Sequence, residues 1–153
     1  MWKTGSNRKV IFSDILSFIS NSLKYESRVV VGTDSQPHRE GSLFVTAITV
    51  MSVSVDYDCR YFYLKHPPKV AHGLFDRLFS ETQHSLDIAS EIRESIPSVS
   101  IEIHLDISPS DSKSRTSQYA NSLVSLVHGY GYNQVKVKPE AWCASAIADF
   151  HSK

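Results

Sequence analysis

Apolar positions along the chain fall into two rhythms. Ile11, Ile15, Phe18, Ile19 and Leu23 recur at three- and four-residue spacing, which predicts an amphipathic helix over 10–24 with Ser6 or Asn7 as its polar cap. Val29, Val30 and Val31 then form a β-branched run that leads into Gly32-Thr33-Asp34-Ser35-Gln36 and stops at Pro37. Such a run predicts a buried strand opening into a polar loop. Residues 42–54 predict a second strand, Asp56-Tyr57-Asp58 a turn, and residues 59–66 a third strand ended by Pro67-Pro68. The short link between the second and third strands predicts an antiparallel hairpin.

The helical rhythm returns over 74–96, where Leu74, Phe75, Leu78, Phe79, Leu86, Ala89, Ile92 and Ile96 make one stripe closed by Pro97. Strict alternation follows: Val99, Ile101, Ile103, Leu105 and Ile107 predict one face of a strand, with Glu102, His104 and Asp106 on the other. After the Ser108–Asp111 loop, a helix from about Ser114 runs to the Gly129/Gly131 pair. A short strand spans 134–138, and a last helix starts at Ala141. The order is an extra N-terminal helix, then β-β-β-α-β-α-β-α. Strand–helix alternation after the hairpin predicts parallel pairing with right-handed crossovers, so the expectation is an α/β fold of three layers around a mixed five-stranded sheet. Residues 1–153 read as one domain, with 1–27 as a helical extension and no internal repeat or linker.

Composition narrows the function. Sixteen Lys and Arg balance sixteen Asp and Glu, which excludes a polycation that coats nucleic acid by bulk charge and an acidic solvating tail. A local basic groove stays open, because six acids against one base between Glu81 and Asp106 give way to four bases against one acid between Asp111 and Lys138. Cys59 and Cys143 match no metal spacing and read as reduced thiols. No run approaches the ~18 apolar residues of a membrane span. The basic N-terminus is interrupted by Asp14, Ser17 and Ser20, a poor signal peptide. Cytoplasmic location and no membrane partner are the expectation.

The acids carry the chemistry. Asp34 follows the first predicted strand, Asp106 ends the fourth and Glu140 follows the fifth, at the edge where open α/β sheets place ligands. Of the acids on the 74–96 helix, Glu81 alone flanks the apolar stripe. Carboxylates converging in a dry site repel one another, and hard divalent cations such as Mg²⁺ or Mn²⁺ relieve this. The alternative for each acid is a solvated loop cap. Lys113 and Arg115, at a helix start after a Ser-rich loop, have the chemistry to hold a backbone phosphate, and Lys138 lies beside Pro139-Glu140; a solvated face is the alternative for all three. His104 reads as a packed strand histidine and His38 as a surface one.

VGTDSQ over 31–36, HLDIS over 104–108 and KPEAWCASAIAD over 138–149 resemble the bacterial ribonuclease H-like (YkuK-type) family of the ribonuclease H-like superfamily, and the likeness covers nearly the whole chain after residue 28. The resemblance implies a ribonuclease H fold and a two-metal nuclease site, in which two Mg²⁺ or Mn²⁺ ions assist water attack on a nucleic-acid phosphodiester. It implies Asp34 as the acid bridging both ions, Asp106 as the second ligand, Glu81 as the acid beside the attacking water and Glu140 as the fourth. Asp149, nine residues later and about half a turn away on a regular helix, is the alternative fourth acid. Ser35 and Gln36, adjoining Asp34, join Lys113, Arg115 and Lys138 as expected substrate contacts. The resemblance implies a nucleic acid as the partner, RNA or an RNA/DNA duplex, although no basic handle for a hybrid duplex is recognisable. The alternative is a non-catalytic ribonuclease H-like module that binds nucleic acid or protein. Oligomeric state is open.

Overall fold

A computed structural model describes residues 1–52 and 59–153. The end of the predicted 42–54 strand and the predicted Asp56–Asp58 turn therefore lie outside the described residues.

The elements are β1 (Trp2–Thr4), β2 (Lys9–Val10), α1 (Phe12–Ser22), β3 (Ser27–His38), β4 (Gly41–Ser52), β5 (Arg60–Lys65), α2 (Leu74–Ser95), β6 (Ile101–Leu105), α3 (Ala120–Gly129) and β7 (Gln134–Lys136). The chain closes on a π-helical segment, Cys143–Ala148, that continues into α4 (Asp149–Ser152). Among the described residues the sheet is seven-stranded, in the order β2-β1-β5-β4-β3-β6-β7. β3, β4 and β5 pair antiparallel, while β6 pairs parallel to β3 and β7 parallel to β6. The expected mixed α/β architecture is present, but the five-stranded count is corrected to seven. The two added strands form an N-terminal hairpin whose first strand pairs with β5. They are too short to carry a period. Neither Ser6 nor Asn7 caps α1: Asn7 takes a positive φ of 66° in the hairpin turn, and its Oδ1 accepts a bond from the Tyr63 hydroxyl. Ile11 sits at the cap position instead, with Asp14 Oδ2 accepting from its N–H at 3.4 Å.

Alternation along β3 sorts the layers. Val29 and Val31 join α1, α2 and α3 residues in the main core, including Ile15, Ile19, Leu86, Ile92, Ile103 and Leu123. Val30 faces the other side, where it packs with Ala47, Cys143 and Ala148. Each buried Ile or Leu side chain contributes on the order of 1.5–3 kcal/mol, so the front layer supplies most of the apolar stabilisation. Gly32 sets the approach of the back layer. A Cβ there would stand 2.6 Å from Ala144 N and 2.9 Å from Cys143 C, so only glycine lets the π-helical segment lie directly on β3.

β3 also differs from its predicted form. It runs unbroken for 12 residues, through the predicted loop and past Pro37. Asp34 is thus paired within an antiparallel ladder, opposite Val45. Pro37 ends nothing because β6 stops pairing at Thr33↔Leu105, which leaves the β6-side edge of β3 open beyond that point.

Candidate functional site

The parallel ladder places two acids side by side. Thr33 and Leu105 are the last pair of the β3–β6 ladder, and the next residues are Asp34, still on β3, and Asp106, just past the end of β6. By the alternation above, both share a parity with Val30, Gly32 and His104, the face covered by the C-terminal segment. Their carboxyl groups are within hydrogen-bonding reach of one another. Burial, with the charge of Asp106 adding to it, pushes the Asp34 carboxyl up to about 7, against the pull of the Ser152 hydroxyl and the Ser35 backbone N–H. Asp106 Oδ1 is buried and lacks a partner in hydrogen-bond geometry, although Lys138 Nζ stands 3.2 Å away as an ion pair.

Glu81 comes from the opposite face. It lies on α2, buried, and its Oε1 accepts a 2.5 Å bond from Ser35 Oγ. Burial pushes this carboxyl up to about 8; the charges of Asp34 and Asp106 add to the rise, and Ser35 and Arg77 oppose it. Beside it, Thr33 Oγ1 bonds Ser85 Oγ at 2.7 Å and Thr46 Oγ1 at 2.8 Å, a chain of hydroxyls that joins α2 to the two central strands.

The fourth acid that reaches this neighbourhood is Asp149. Gln36 Nε2 donates to Asp34 Oδ2 at 3.3 Å and to Asp149 Oδ1 at 3.2 Å. Ser152 Oγ is 2.9 Å from Asp34 Oδ2 and 2.9 Å from the Asp149 carbonyl. Lys153 Nζ completes the edge at 2.7 Å from Asp149 Oδ2. The structure does not bring Glu140 here: its side chain is 69% exposed and pairs with Lys136 at 3.6 Å. The regular-helix argument behind that choice fails because Cys143–Ala148 is π-helical, with more residues per turn than an α-helix.

The remaining predicted contacts separate. Ser35 and Gln36 direct their polar atoms to the acids, and Lys138 sits on Asp106. Lys113 is exposed on the loop before α3. Arg115 lines a cavity at the start of α2. His104 is internal: its Nδ1 accepts from the Cys143 N–H at 3.1 Å, which leaves Nε2–H to donate to Glu102 at 2.8 Å and defines the tautomer. Burial lowers its tendency to protonate. Cys143 is buried and its thiol is pushed up to about 12, whereas Cys59 is exposed; both are free. Sequence reasoning passed over Ser152, Lys153 and Arg77. Spacing carries no signal for the first two, and Arg77 was legible only as a charge four residues before Glu81.

Among the described residues, no group of three or more His, Cys, Asp or Glu side chains is arranged to hold an ion. The donor chemistry is nonetheless that of a hard cation: the paired carboxyl groups of Asp34 and Asp106, with Asp106 Oδ1 met only by the Lys138 ammonium, beside Glu81, whose proton affinity burial raises. Mg²⁺ keeps several of its waters and takes one or two protein carboxylates plus substrate phosphate. Asp34 and Asp106 fit that two-ligand demand, whereas a ready-made all-protein cage is not present among the described residues. No described helix is long and apolar enough to cross a membrane.

A family model described as ribonuclease H-like matches residues 10–153. No curated protein matches the chain, and no solved structure does.

Proposed function

The chain belongs to the ribonuclease H-like family, and from that premise we propose that it is a divalent-metal-dependent phosphodiesterase acting on nucleic acid. The observation that carries the reading is the Asp34–Asp106 pair, a buried and a part-buried carboxyl group in mutual reach where β6 leaves β3. Asp34 and Asp106 would hold the cation, Mg²⁺ or Mn²⁺. When bound, the cation supplies Lewis-acid polarisation of a phosphoryl oxygen and a more acidic water. The chain's own part is positioning and proton control. Ser35 and Gln36 orient Glu81 and Asp34 by hydrogen bonds. Glu81, held near 8 with Oε1 already engaged by Ser35, is poised to take or give a proton at Oε2 close to neutral pH. Lys138, now on Asp106, has the charge and reach to meet a phosphate oxygen.

The test is cleavage of labelled single-stranded RNA, single-stranded DNA and RNA/DNA duplex in Mn²⁺. Asp34→Asn and Asp106→Asn should each lower the rate by at least about 100-fold, with an unchanged circular dichroism spectrum. Wild-type rates in both variants overturn the reading.

One observation favours a second reading, a non-catalytic nucleic-acid-binding module. Lys138 Nζ at 3.2 Å already neutralises Asp106 without an ion. Binding of these polymers with no cleavage in either metal would select it.

A further inference from the structure

The face of β3 and β6 that carries Asp34 and Asp106 holds another pair one pleat earlier. Gly32 stands opposite His104 in the parallel ladder, and the closing segment of the chain is seated on both. Gly32 supplies bare backbone, which Cys143 and Ala144 approach. His104 supplies an acceptor. The first N–H groups of a helical segment find none within the segment, and the buried Cys143 N–H is met by His104 Nδ1 at 3.1 Å. The Trp142 ring packs edge-on to the imidazole, with centroids 4.9 Å apart at 89°. The Cys143 thiol reaches the Val30 and Ala47 carbonyl oxygens at 3.6 and 3.5 Å.

The other ring nitrogen is held from behind. Glu102 Oε2 takes the His104 Nε2–H at 2.8 Å, and Arg28 Nη1 stands 3.6 Å from Glu102 Oε1. An acceptor at Nε2 and a donor at Nδ1 leave one tautomer that satisfies both. An apolar side chain at 104 would fill the space and orphan a buried N–H. The seat matters because of what lies at the far end. The π-helical segment continues directly into α4, where Ser152 Oγ donates to Asp34 Oδ2 at 2.9 Å and Gln36 joins Asp149 to Asp34.

We propose that His104 is a positioning residue of the acidic site: by accepting from the Cys143 N–H it seats the closing segment so that Asp149 and Ser152 meet Asp34. The seating stands on the chain's own contacts, whereas its bearing on cleavage rests on the function proposed above.

Two variants separate the two ends of the imidazole. In His104→Asn the amide oxygen occupies the place of Nδ1, so the acceptor for Cys143 is kept and the donor to Glu102 is lost. In His104→Gln the longer amide reaches the place of Nε2, so the donor is kept and the acceptor is lost. A histidine that only filled the core or paired with Glu102 would be replaced better by Gln. Amide hydrogen exchange of the full chain in EDTA gives the first readout, with Leu86 and Ile92 of α2, in the opposite layer, as internal reference. Residues 143–152 should exchange about tenfold faster in His104→Gln and stay within about threefold of wild type in His104→Asn, with α2 unchanged in both. Mn²⁺-dependent cleavage should fall in the same order, about tenfold for Gln and less than about threefold for Asn.

Equal protection of 143–152 in the two variants, better protection in Gln than in Asn, or acceleration that extends equally to α2 overturns the seating. Protection ranked as expected with equal cleavage overturns the role at the acidic site. Protection ranked as expected in a chain whose wild type cleaves none of the polymers leaves the seating of Asp149 and Ser152 standing and removes the nuclease reading.

Discussion

Asp34 and Asp106 occupy the first positions beyond the last β3–β6 pair, and their carboxyl groups stand within hydrogen-bonding reach of one another. Two acids so placed cannot both ionise cheaply, and Glu81 behind them shares the problem. Most of the site's measurable behaviour follows from that conflict.

Stability without metal should fall as pH rises. The folded-state affinities of Asp34 and Glu81 for a proton are raised, to about 7 and about 8, above ordinary carboxyl values. The native state therefore binds more protons than the unfolded chain between about pH 4 and pH 8. Stability is full below that window and is lost through it. Urea unfolding in EDTA from pH 5 to pH 8 checks this. Glu81→Gln should flatten the slope, and a pH-independent midpoint in wild type would contradict the raised proton affinities.

Mn²⁺ should raise the melting temperature, and more so at pH 8 than at pH 5.5, because the ion must displace the proton that Asp34, raised to about 7, holds. At 100-fold excess over the dissociation constant the gain is about 2.7 kcal/mol. Asp106→Asn should abolish the shift. An equal shift in that variant would place the ion elsewhere.

Asp149 and Glu140 should behave differently in the cleavage assay. Asp149 is joined to Asp34 through Gln36 and Ser152, whereas Glu140 pairs with Lys136 away from the acids. Asp149→Asn is expected to lower the Mn²⁺-dependent rate about tenfold or more, and Glu140→Gln to leave it within about twofold. The reverse ranking would mean that the C-terminal segment reorganises on substrate binding.

Gly32→Ala should destabilise the fold by roughly 1–3 kcal/mol. The new methyl would meet backbone atoms of Ala144 and Cys143 at 2.6 and 2.9 Å, and backbone cannot swing aside as a long side chain can. The same shift would withdraw Ser152 from Asp34, so Mn²⁺-dependent cleavage should fall along with the denaturation midpoint. A neutral midpoint would show that the segment slides freely on β3.

Most of the amphipathic stripe of α2 (Leu78, Leu86, Ala89 and Ile92, but not the exposed Phe75 and Phe79) and the alternation of β6 were legible in the chain because each follows from local periodicity, while the roles of Asp34, Glu81 and Asp106 came from the family resemblance. The N-terminal hairpin was not: strands of two and three residues have too few positions to show a period, and pairing with β5 is what makes them strands. The run Gly32–Gln36 has the composition of a loop, yet it is strand, because β4 offers it a partner at every position. Propensity yields to a complete ladder of hydrogen bonds.

By itself, the order of residues determined the helix–strand succession after residue 27, which faces are apolar, and that acids recur where strands were expected to end. Those features depend on neighbours three or four positions away at most. Tertiary structure alone decided which acids meet. Asp34 and Asp106 meet through the register of a parallel pair, and Glu81 reaches them from the opposite face of the sheet through Ser35. Asp149 stands beside Asp34 because the closing segment, wound as a π-helix, is laid on a bare glycine of β3, whereas Glu140, which precedes that segment, pairs with Lys136. Register, close approach and helix winding are set by contacts between distant parts of the chain, and no spacing within one segment encodes them.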